Sequence, residues 1–168
     1  MNRTLDFDTR PCALGHVLVA HTERGVCAIL LGDDTVSLVQ DLQARFPKAV
    51  LSAQPGRRTQ WVEAILQLVE QPHRPCTVPL DVQGTPYQQN VWQALQRIPP
   101  GHTASYSELA LRLGQPRGAR AVARACASNP LALAVPCHRV VARDGALSGY
   151  RWGLERKRRL LQTEAQAA

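Results

Sequence analysis

The sequence predicts a mixed α/β fold in two lobes, an α/β lobe over residues 1–84 and a mainly helical lobe over residues 85–168. Short apolar segments that are partly β-branched, typical of strands, occur near the start of the first lobe. Segments with helical spacing and capping residues dominate the second. A stretch from Pro72 to about Gly84 contains three prolines and separates the two patterns.

Length and composition exclude several classes of protein. A chain of 168 residues can form one core or two small lobes. No apolar run approaches the roughly 20 residues of a membrane span, and the N-terminus has no signal pattern. The five cysteines are scattered and odd in number, which argues against a disulfide framework. We therefore expect a cytoplasmic protein with no membrane partner.

The net charge of +7 is concentrated in the second lobe. Residues 1–84 contain eight Lys and Arg against nine Asp and Glu, whereas residues 85–168 contain twelve against four. A basic lobe beside a near-neutral one is typical of a surface that binds a polyanion such as nucleic acid.

The first lobe begins with two predicted strands, residues 17–19 and 26–31, joined by a turn. Asp33 and Asp34 then provide an N-cap for a helix. Its apolar positions are Val36, Val39, Leu42 and Phe46. Residues 48–58 are predicted to be a loop, and a second helix is marked by Trp61, Ile65, Leu68 and Val69.

The second lobe opens with a capping box at Thr85 and Gln88, around an N1 proline. Ser105 and Glu108 form a second capping box, which starts a short helix that contains Leu109, Leu111 and Leu113. A turn at Gly114 leads to a third helix over residues 117–127. Two short helices joined in this way indicate a helix-turn-helix.

The third helix is built of small residues and three arginines, Arg117, Arg120 and Arg124. Their spacing of three and four places them on one face. The small side chains suit close approach either to a neighbouring helix or to a nucleic-acid groove, and the sequence leaves both open. A last helix over about 154–165 has Leu154, Leu160 and Leu161 on one side, with Lys157 among its polar residues.

The segment Pro136-Cys137-His138-Arg139-Val140 follows an apolar run. Neighbouring cationic side chains favour the thiolate, which is the reactive form of cysteine. Cys137 is therefore a candidate nucleophile, although many buried cysteines serve only in packing.

These residues together resemble the O6-alkylguanine-DNA alkyltransferases, whose active-site signature matches residues 136–140. The resemblance extends over nearly the whole chain, and the sequence is most similar to the C-terminal half of bacterial Ada-type proteins. Further matches are Ser105-Tyr106, Gly118 to Val122, Asn129-Pro130, Ser148 to Gly153 and Glu164. The resemblance implies a ribonuclease-H-like N-terminal lobe and a helical lobe with a helix-turn-helix.

The resemblance also implies a reaction, the irreversible transfer of an alkyl group from guanine O6 to Cys137, once per molecule and with no cofactor. His138 would take the thiol proton through a bound water, and Glu164 would orient the histidine. Tyr106 would donate to guanine N3, and the backbone N–H of Arg151 would face O6. The carbonyl groups of Cys137 and Val140 would accept from the guanine amino group.

The implied partner is double-stranded DNA, bound through its minor groove by a monomer, with an alkylated guanine flipped out of the duplex as the substrate. Arg120 would fill the vacated space, Ala119 would permit close approach, and Ser105 would lie at the DNA or base. Asn129 would act as a hinge. Trp152, where some relatives have glycine, is expected to narrow the pocket against bulky O6 groups.

Metal binding is not expected. Cys12, His16, His21 and Cys27 form a loose group in sequence, but their spacing is not that of a standard zinc site.

Three alternative functions agree with parts of the sequence. The first is a non-catalytic sensor of alkylated DNA, which the presence of Cys137 opposes. The second is a transcription regulator, although the third helix has few side chains that read bases. The third is a Cys-His-Glu hydrolase, which would leave the arginine-bearing helix unexplained.

Overall fold

The computed structural model describes residues 3–167 and has the predicted mixed α/β fold. The chain divides into two compact units. The first ends at Gln71 and also includes Pro75–Val82 and Pro130–Ala132. The second includes Pro72–Arg74, Gln83–Asn129 and the chain from Leu133 onward. The main change between units thus falls two residues before the predicted boundary at residue 84, and three residues of the C-terminal half belong to the first unit.

The first unit contains a four-stranded sheet in the order β3-β2-β1-β4. Its strands are β1 (Thr4–Cys12), β2 (Gly15–His21), β3 (Val26–Gly32) and β4 (Val50–Ala53). The first three are antiparallel neighbours, and β4 runs parallel to β1. The two predicted strands are confirmed as β2 and β3, whose side chains are almost all buried.

The prediction of a loop over residues 48–58 is wrong at β4, and β1 was not predicted. β4 has only four residues, none fully buried, so its sequence carries no strong alternation. It forms because the backbone of β1 and of Arg3, just before β1, supplies partners; Arg3 O accepts from Val50 N at 2.8 Å.

Two helices complete the first unit, α1 (Thr35–Arg45) and α2 (Thr59–Glu70). The predicted cap of α1 is confirmed, since Asp34 accepts from Ser37 N at 2.7 Å. Its buried face was predicted only in part. Leu38 and Leu42 are buried, whereas Val36 is 67% exposed. The apolar spacing of α2 is confirmed by its buried residues, which include Ile65 and Leu68.

The second unit is mainly helical, as predicted. Its elements are α3 (Pro86–Gln96), β5 (Ala104–Ser105), α4 (Tyr106–Arg112), α5 (Ala119–Ala127), β6 (Val140–Val141) and α6 (Leu154–Ala167). The capping box of Thr85 and Gln88 is confirmed in both directions. Ser105 caps α4 by accepting from Glu108 N. The short parallel pair β5–β6 was not predicted; two-residue strands have no sequence period to detect.

Three sequence assignments in this unit need correction. Of the leucines named for α4, Leu109 is buried, with Ala110, but Leu111 is 67% exposed. The third predicted helix begins at Ala119 rather than at residue 117. Lys157, counted among the polar residues of the last helix, is completely buried. None of the helices within residues 3–167 is long and apolar enough to cross a membrane.

Candidate active site

Cys137 begins a single 3-10 turn, Cys137–Arg139, directly after Pro136. Its side chain is 6% exposed, so the sulfur lies at the edge of the interior. Asn129, just beyond the end of α5, donates from Nδ2 to Cys137 Sγ at 3.3 Å and to Val135 O at 2.9 Å. Asn129 therefore ties the end of α5 to the segment that carries the sulfur.

His138 and Glu164 form a buried pair, with Nε2 and Oε1 2.7 Å apart and both side chains inaccessible. Burial lowers the pKa of His138, and the hydrogen bond to Glu164 only partly offsets this effect. The histidine is therefore neutral near neutral pH. Because an ionised carboxylate only accepts, Nε2 carries the proton and Nδ1 carries a free lone pair. Nδ1 is buried, and no hydrogen-bond partner for it lies among residues 3–167.

Arg139 holds Glu164 in its ionised form. Its Nε lies 3.1 Å from both carboxylate oxygens, and one terminal nitrogen lies 2.7 Å from Oε1. Arg139 also donates to Ile98 O and Pro72 O. Burial alone would raise the pKa of Glu164, but the hydrogen bonds from His138 and Arg139, together with the Arg139 charge, outweigh it and lower this pKa to about 2. The guanidinium is thus directed to Glu164, although the sequence suggested a role beside the thiol.

Cys137 opens into a pocket of about 150 Å³ within the second unit. The pocket is lined by residues from α4, α5, the 3-10 turn and the loop before α6: Tyr106, Ala123, Cys126, Ala127, Cys137, Gly149, Tyr150 and Arg151. Three of the predicted site residues therefore meet here, Cys137, Tyr106 and Arg151. Burial raises the pKa of Cys126 to about 12, which leaves Cys126 a protonated thiol and not a competing nucleophile.

Two tyrosines supply hydroxyl groups at this pocket. Tyr106 donates to Ser148 O at 3.1 Å. Burial raises its pKa, so the hydroxyl stays protonated and able to donate. The Tyr150 hydroxyl is buried without a hydrogen-bond partner in the described part of the chain, and burial raises its pKa well above 10.

The other predicted residues lie around the pocket rather than in its lining. Trp152 is buried behind it, with its ring edge-on to Tyr150 at 5.3 Å between centroids. Val140 is buried in β6, where it pairs with Ala104, and Ser105 is the N-cap of α4. Ala119 and Arg120 line a second, open groove, which shares Tyr106 and Ala123 with the pocket. The three arginines of residues 117, 120 and 124 are exposed, as expected for a basic face.

Lys157 is the site residue that the sequence interpretation missed. Its Nζ donates to Ser148 O and to Gly149 O, both at 3.0 Å, and so holds the loop that forms one wall of the pocket. Burial lowers the pKa of Lys157, and interaction with the Cys137 and Cys126 sulfurs opposes this shift. One signal could have revealed it. Residues 157, 160 and 164 have helical spacing, so Lys157 shares a face with the buried Leu160 and Glu164.

No group of three or more His, Cys, Asp or Glu side chains within residues 3–167 is arranged to hold a metal ion. None of the five cysteines, all of which lie within residues 3–167, forms a disulfide bond.

Known proteins match this chain both in sequence and in fold. The family model described as "6-O-methylguanine DNA methyltransferase, DNA binding domain" matches residues 86–166. The chain is 50% identical over 165 residues to the bifunctional transcriptional activator/DNA repair enzyme Ada of Escherichia coli, covering 98% of this chain and 47% of Ada. It is 40% identical over 124 residues to the inducible methylated-DNA–protein-cysteine methyltransferase of Bacillus subtilis, covering 74% of this chain and 69% of that protein.

The crystal structure of O6-methylguanine methyltransferase from Mycobacterium tuberculosis superposes with a TM-score of 0.80 at 32% identity, covering 98% of this chain and 94% of that chain. A structure titled as the M. tuberculosis OGT in complex with DNA matches with the same TM-score at 33% identity. The chain spans about half the length of the Ada proteins that it matches. The extent of these matches and the site geometry agree, and the chain belongs to the O6-methylguanine-DNA methyltransferase family.

Proposed function

We propose that this protein repairs DNA by transferring the alkyl group of O6-alkylguanine to its own Cys137. The observation that carries the proposal is the buried chain of Arg139, Glu164 and His138 beside a cysteine that opens into a small pocket. The named relatives are methyltransferases that act on methylated DNA, which supports the same chemistry.

Activation of the sulfur begins at His138. Its Nδ1 has a lone pair and no hydrogen-bond partner in the described part of the chain, so a bridging water can pass the Cys137 proton to it. Glu164 accepts from Nε2 and stabilises the imidazolium that results. Asn129 Nδ2, 3.3 Å from Sγ, stabilises the thiolate by donating to it.

The thiolate attacks the alkyl carbon in line, forming an S–C bond as the C–O6 bond breaks and the electron pair leaves on guanine. Tyr106 is suited to offset this charge, because its hydroxyl lines the pocket and stays protonated. To donate to guanine N3, the Tyr106 hydroxyl would give up its present hydrogen bond to Ser148 O. The Arg151 backbone N–H would face O6, and the carbonyl groups of Cys137 and Val140 would select the guanine amino group. Donors directed at developing charge in a dry site are often the largest catalytic contribution.

The alkylated base lies inside the duplex stack, so we infer that it is flipped into the pocket from double-stranded DNA. Helix α5 supports this because one side lines the pocket and the other presents exposed arginines and small side chains. We propose that a single copy of the chain places α5 in the minor groove, with Arg120 in the space that the base leaves. The DNA complex of an M. tuberculosis relative supports DNA as the partner. We also propose a cytoplasmic location, because none of the five cysteines forms a disulfide and the cytoplasm is reducing.

The product is a thioether, which has no good leaving group, and no cofactor is needed. Each molecule would therefore act once. The alternative of a non-catalytic lesion sensor is not favoured, because the nucleophile Cys137 lines the pocket and the buried base His138 is its neighbour in the chain.

A direct test uses a duplex with one O6-methylguanine inside a restriction site that is cleaved only after demethylation. The wild-type protein should restore cleavage mole for mole. The Cys137→Ser variant should bind the duplex and restore none. Full restoration by Cys137→Ser would overturn the proposal.

A further inference from the structure

The Tyr150 hydroxyl lies inside the second unit without a group of the chain to bond it. The tyrosine is partly exposed where it lines the pocket beside Cys137, whereas its hydroxyl oxygen is buried. No hydrogen-bond partner for this oxygen lies among residues 3–167. Because a buried hydroxyl that makes no hydrogen bond is costly, its position indicates that it binds a small polar group.

The direction of this hydroxyl is fixed by its surroundings. The Tyr150 ring packs edge-on against Trp152, with 5.3 Å between centroids. Burial raises the pKa of Tyr150 well above its ordinary value of 10; the negative charges of Cys137 and Glu164 add to this effect, and Arg156 opposes it. The hydroxyl therefore points to the region between the sulfur and the carboxylate, and it keeps its proton.

A second buried polar atom in the same region is His138 Nδ1, which also has no hydrogen-bond partner in the part of the chain that the structure describes. His138 follows Cys137 in the 3-10 turn, and its other ring nitrogen is bonded to Glu164. Nδ1 is an acceptor, and the Tyr150 hydroxyl is a donor. A buried water typically makes about three hydrogen bonds to such groups, so one water can join Nδ1, the Tyr150 hydroxyl and the Cys137 thiol.

We propose that the Tyr150 hydroxyl donates to the water that carries the proton from Cys137 to His138, and so positions that water. This inference rests on the proposed function and adds a positioning residue to its first step. Before the step, the water accepts from the Cys137 S–H and from Tyr150, and it donates to Nδ1. As the thiol proton moves to the water, one water proton moves to Nδ1.

The hydrogen bond from Tyr150 stays the same on both sides of this step. Afterwards the water accepts from the new Nδ1–H of His138 and from Tyr150, and it donates to the Cys137 thiolate. Each hydrogen-bonding group is then satisfied in both states. The water that Tyr150 holds therefore stabilises the thiolate–imidazolium pair as well as carrying the proton.

The test uses Tyr150→Phe, which removes the hydroxyl but keeps the ring that lines the pocket and packs against Trp152. We expect alkyl transfer from a lesion duplex to slow about tenfold, as for the loss of one hydrogen bond. Binding of the duplex should be unchanged. In a His138→Gln background, Tyr150→Phe should slow transfer no further, because both residues act on one proton.

A second assay needs no DNA. Iodoacetamide alkylates the thiolate of Cys137, and peptide mass spectrometry measures the rate at that residue. Near neutral pH, Tyr150→Phe should react about tenfold more slowly than the wild type. By about pH 10, above the ordinary thiol pKa of roughly 8.5, the two proteins should react equally, because Cys137 then ionises without His138. A merely distorted pocket would be slower at every pH.

Two other tyrosines provide controls. Tyr87 in α3 also has a buried hydroxyl without a partner within residues 3–167, but it does not line the pocket. Tyr87→Phe should therefore resemble the wild type in both assays. Tyr106→Phe removes the proposed donor to guanine, so it should slow transfer from the duplex while Cys137 still shows the wild-type pH profile with iodoacetamide.

Unchanged rates in Tyr150→Phe, equal slowing at every pH, or slowing that adds to that of His138→Gln would each overturn the proposal. Slower transfer from DNA with normal iodoacetamide reactivity would also overturn it, since the hydroxyl would then act on guanine. Failure of the wild type to take a methyl group from the duplex would refute the proposed function, and the iodoacetamide assay would still test Tyr150.

Discussion

His138 Nε2 lies 2.7 Å from Glu164 Oε1, in a part of the second unit where neither side chain is accessible to solvent. Because Arg139 keeps the carboxylate ionised, the pair has a defined direction, with the proton on Nε2 and the lone pair on Nδ1. The proposed activation of Cys137 depends on Nδ1, which has no hydrogen-bond partner within residues 3–167.

Replacing His138 with Gln should remove the base while leaving the Arg139–Glu164 ion pair in place. We expect single-turnover alkyl transfer to slow by about 10²–10⁴-fold, the usual contribution of a general base. Binding of the lesion duplex should remain near the wild-type value. A variant that transfers at the wild-type rate would exclude His138 from proton transfer.

The pH dependence of alkyl transfer follows from the direction in which burial shifts the pKa of His138. Burial lowers the pKa of His138 below its ordinary value of 6.5, and only the neutral form can accept a proton. The rate should therefore stay level as pH falls through 6.5 and decline only at lower pH. The same profile measured on His138→Gln should lack this decline. A wild-type rate that already falls steeply above pH 6.5 would contradict the assignment.

Glu164 should make the fold sensitive to acid. Its pKa in the folded protein is about 2, against an ordinary value of 4.5, so its stabilising contribution is complete above 4.5. That contribution is lost as pH falls from 4.5 through about 2. Urea unfolding at a series of pH values should show the loss of stability in this window.

Arg139→Met should be strongly destabilising because it leaves a buried carboxylate without its cation. The expected cost is about 3–5 kcal/mol in the free energy of unfolding. The matched control is Arg158→Met, which breaks an exposed pair with Glu155, 2.6 Å long with side chains 53% and 71% exposed. That change should cost less than about 1 kcal/mol. Equal effects of the two variants would mean that the buried pair contributes little.

Lys157→Met should loosen the pocket wall, because the two loop carbonyls lose a charged donor. We expect transfer to slow by about 10–100-fold, as for loss of a hydrogen bond to a charged group. Amide hydrogen exchange in residues 148–151 should accelerate. Arg158→Met, on the exposed side of the same helix, should change neither. Normal loop protection in Lys157→Met would argue against this positioning role.

Trp152 should limit the size of the alkyl group, but through Tyr150. The indole does not line the pocket; it packs against the tyrosine ring that does. We expect the wild type to react slowly with O6-benzylguanine, and Trp152→Ala to react faster because the Tyr150 wall can retreat. Rates with O6-methylguanine duplex should change much less. Rapid benzylation of wild-type Cys137 would show that the pocket is not narrow.

The sequence was most informative where chemistry is local. The caps of α1, α3 and α4 depend on residues three positions apart, so Asp34, Thr85 and Ser105 could be identified directly. The neighbourhood of Cys137 was likewise visible in five consecutive residues. The pairing of His138 with Glu164 came from family resemblance, because the two are 26 positions apart.

Features set by tertiary context were missed. β4 forms because β1 offers an edge, not because Val50 to Ala53 have a strand pattern. Val36 and Leu111 are apolar but exposed, since helical period alone does not determine which side of a short helix is covered. The burial of Lys157 was missed as well. A lysine can be buried only where acceptors meet its ammonium group, and here the acceptors, Ser148 O and Gly149 O, come from a separate loop.

The most direct test of the account is intact mass after incubation with a short duplex that contains one O6-methylguanine. The account predicts a gain of one methylene group per protein, mapped to Cys137, saturating at one equivalent and absent in Cys137→Ser. Binding without a mass gain would indicate a lesion sensor. Many restored guanines per unmodified protein would contradict single-turnover transfer to Cys137.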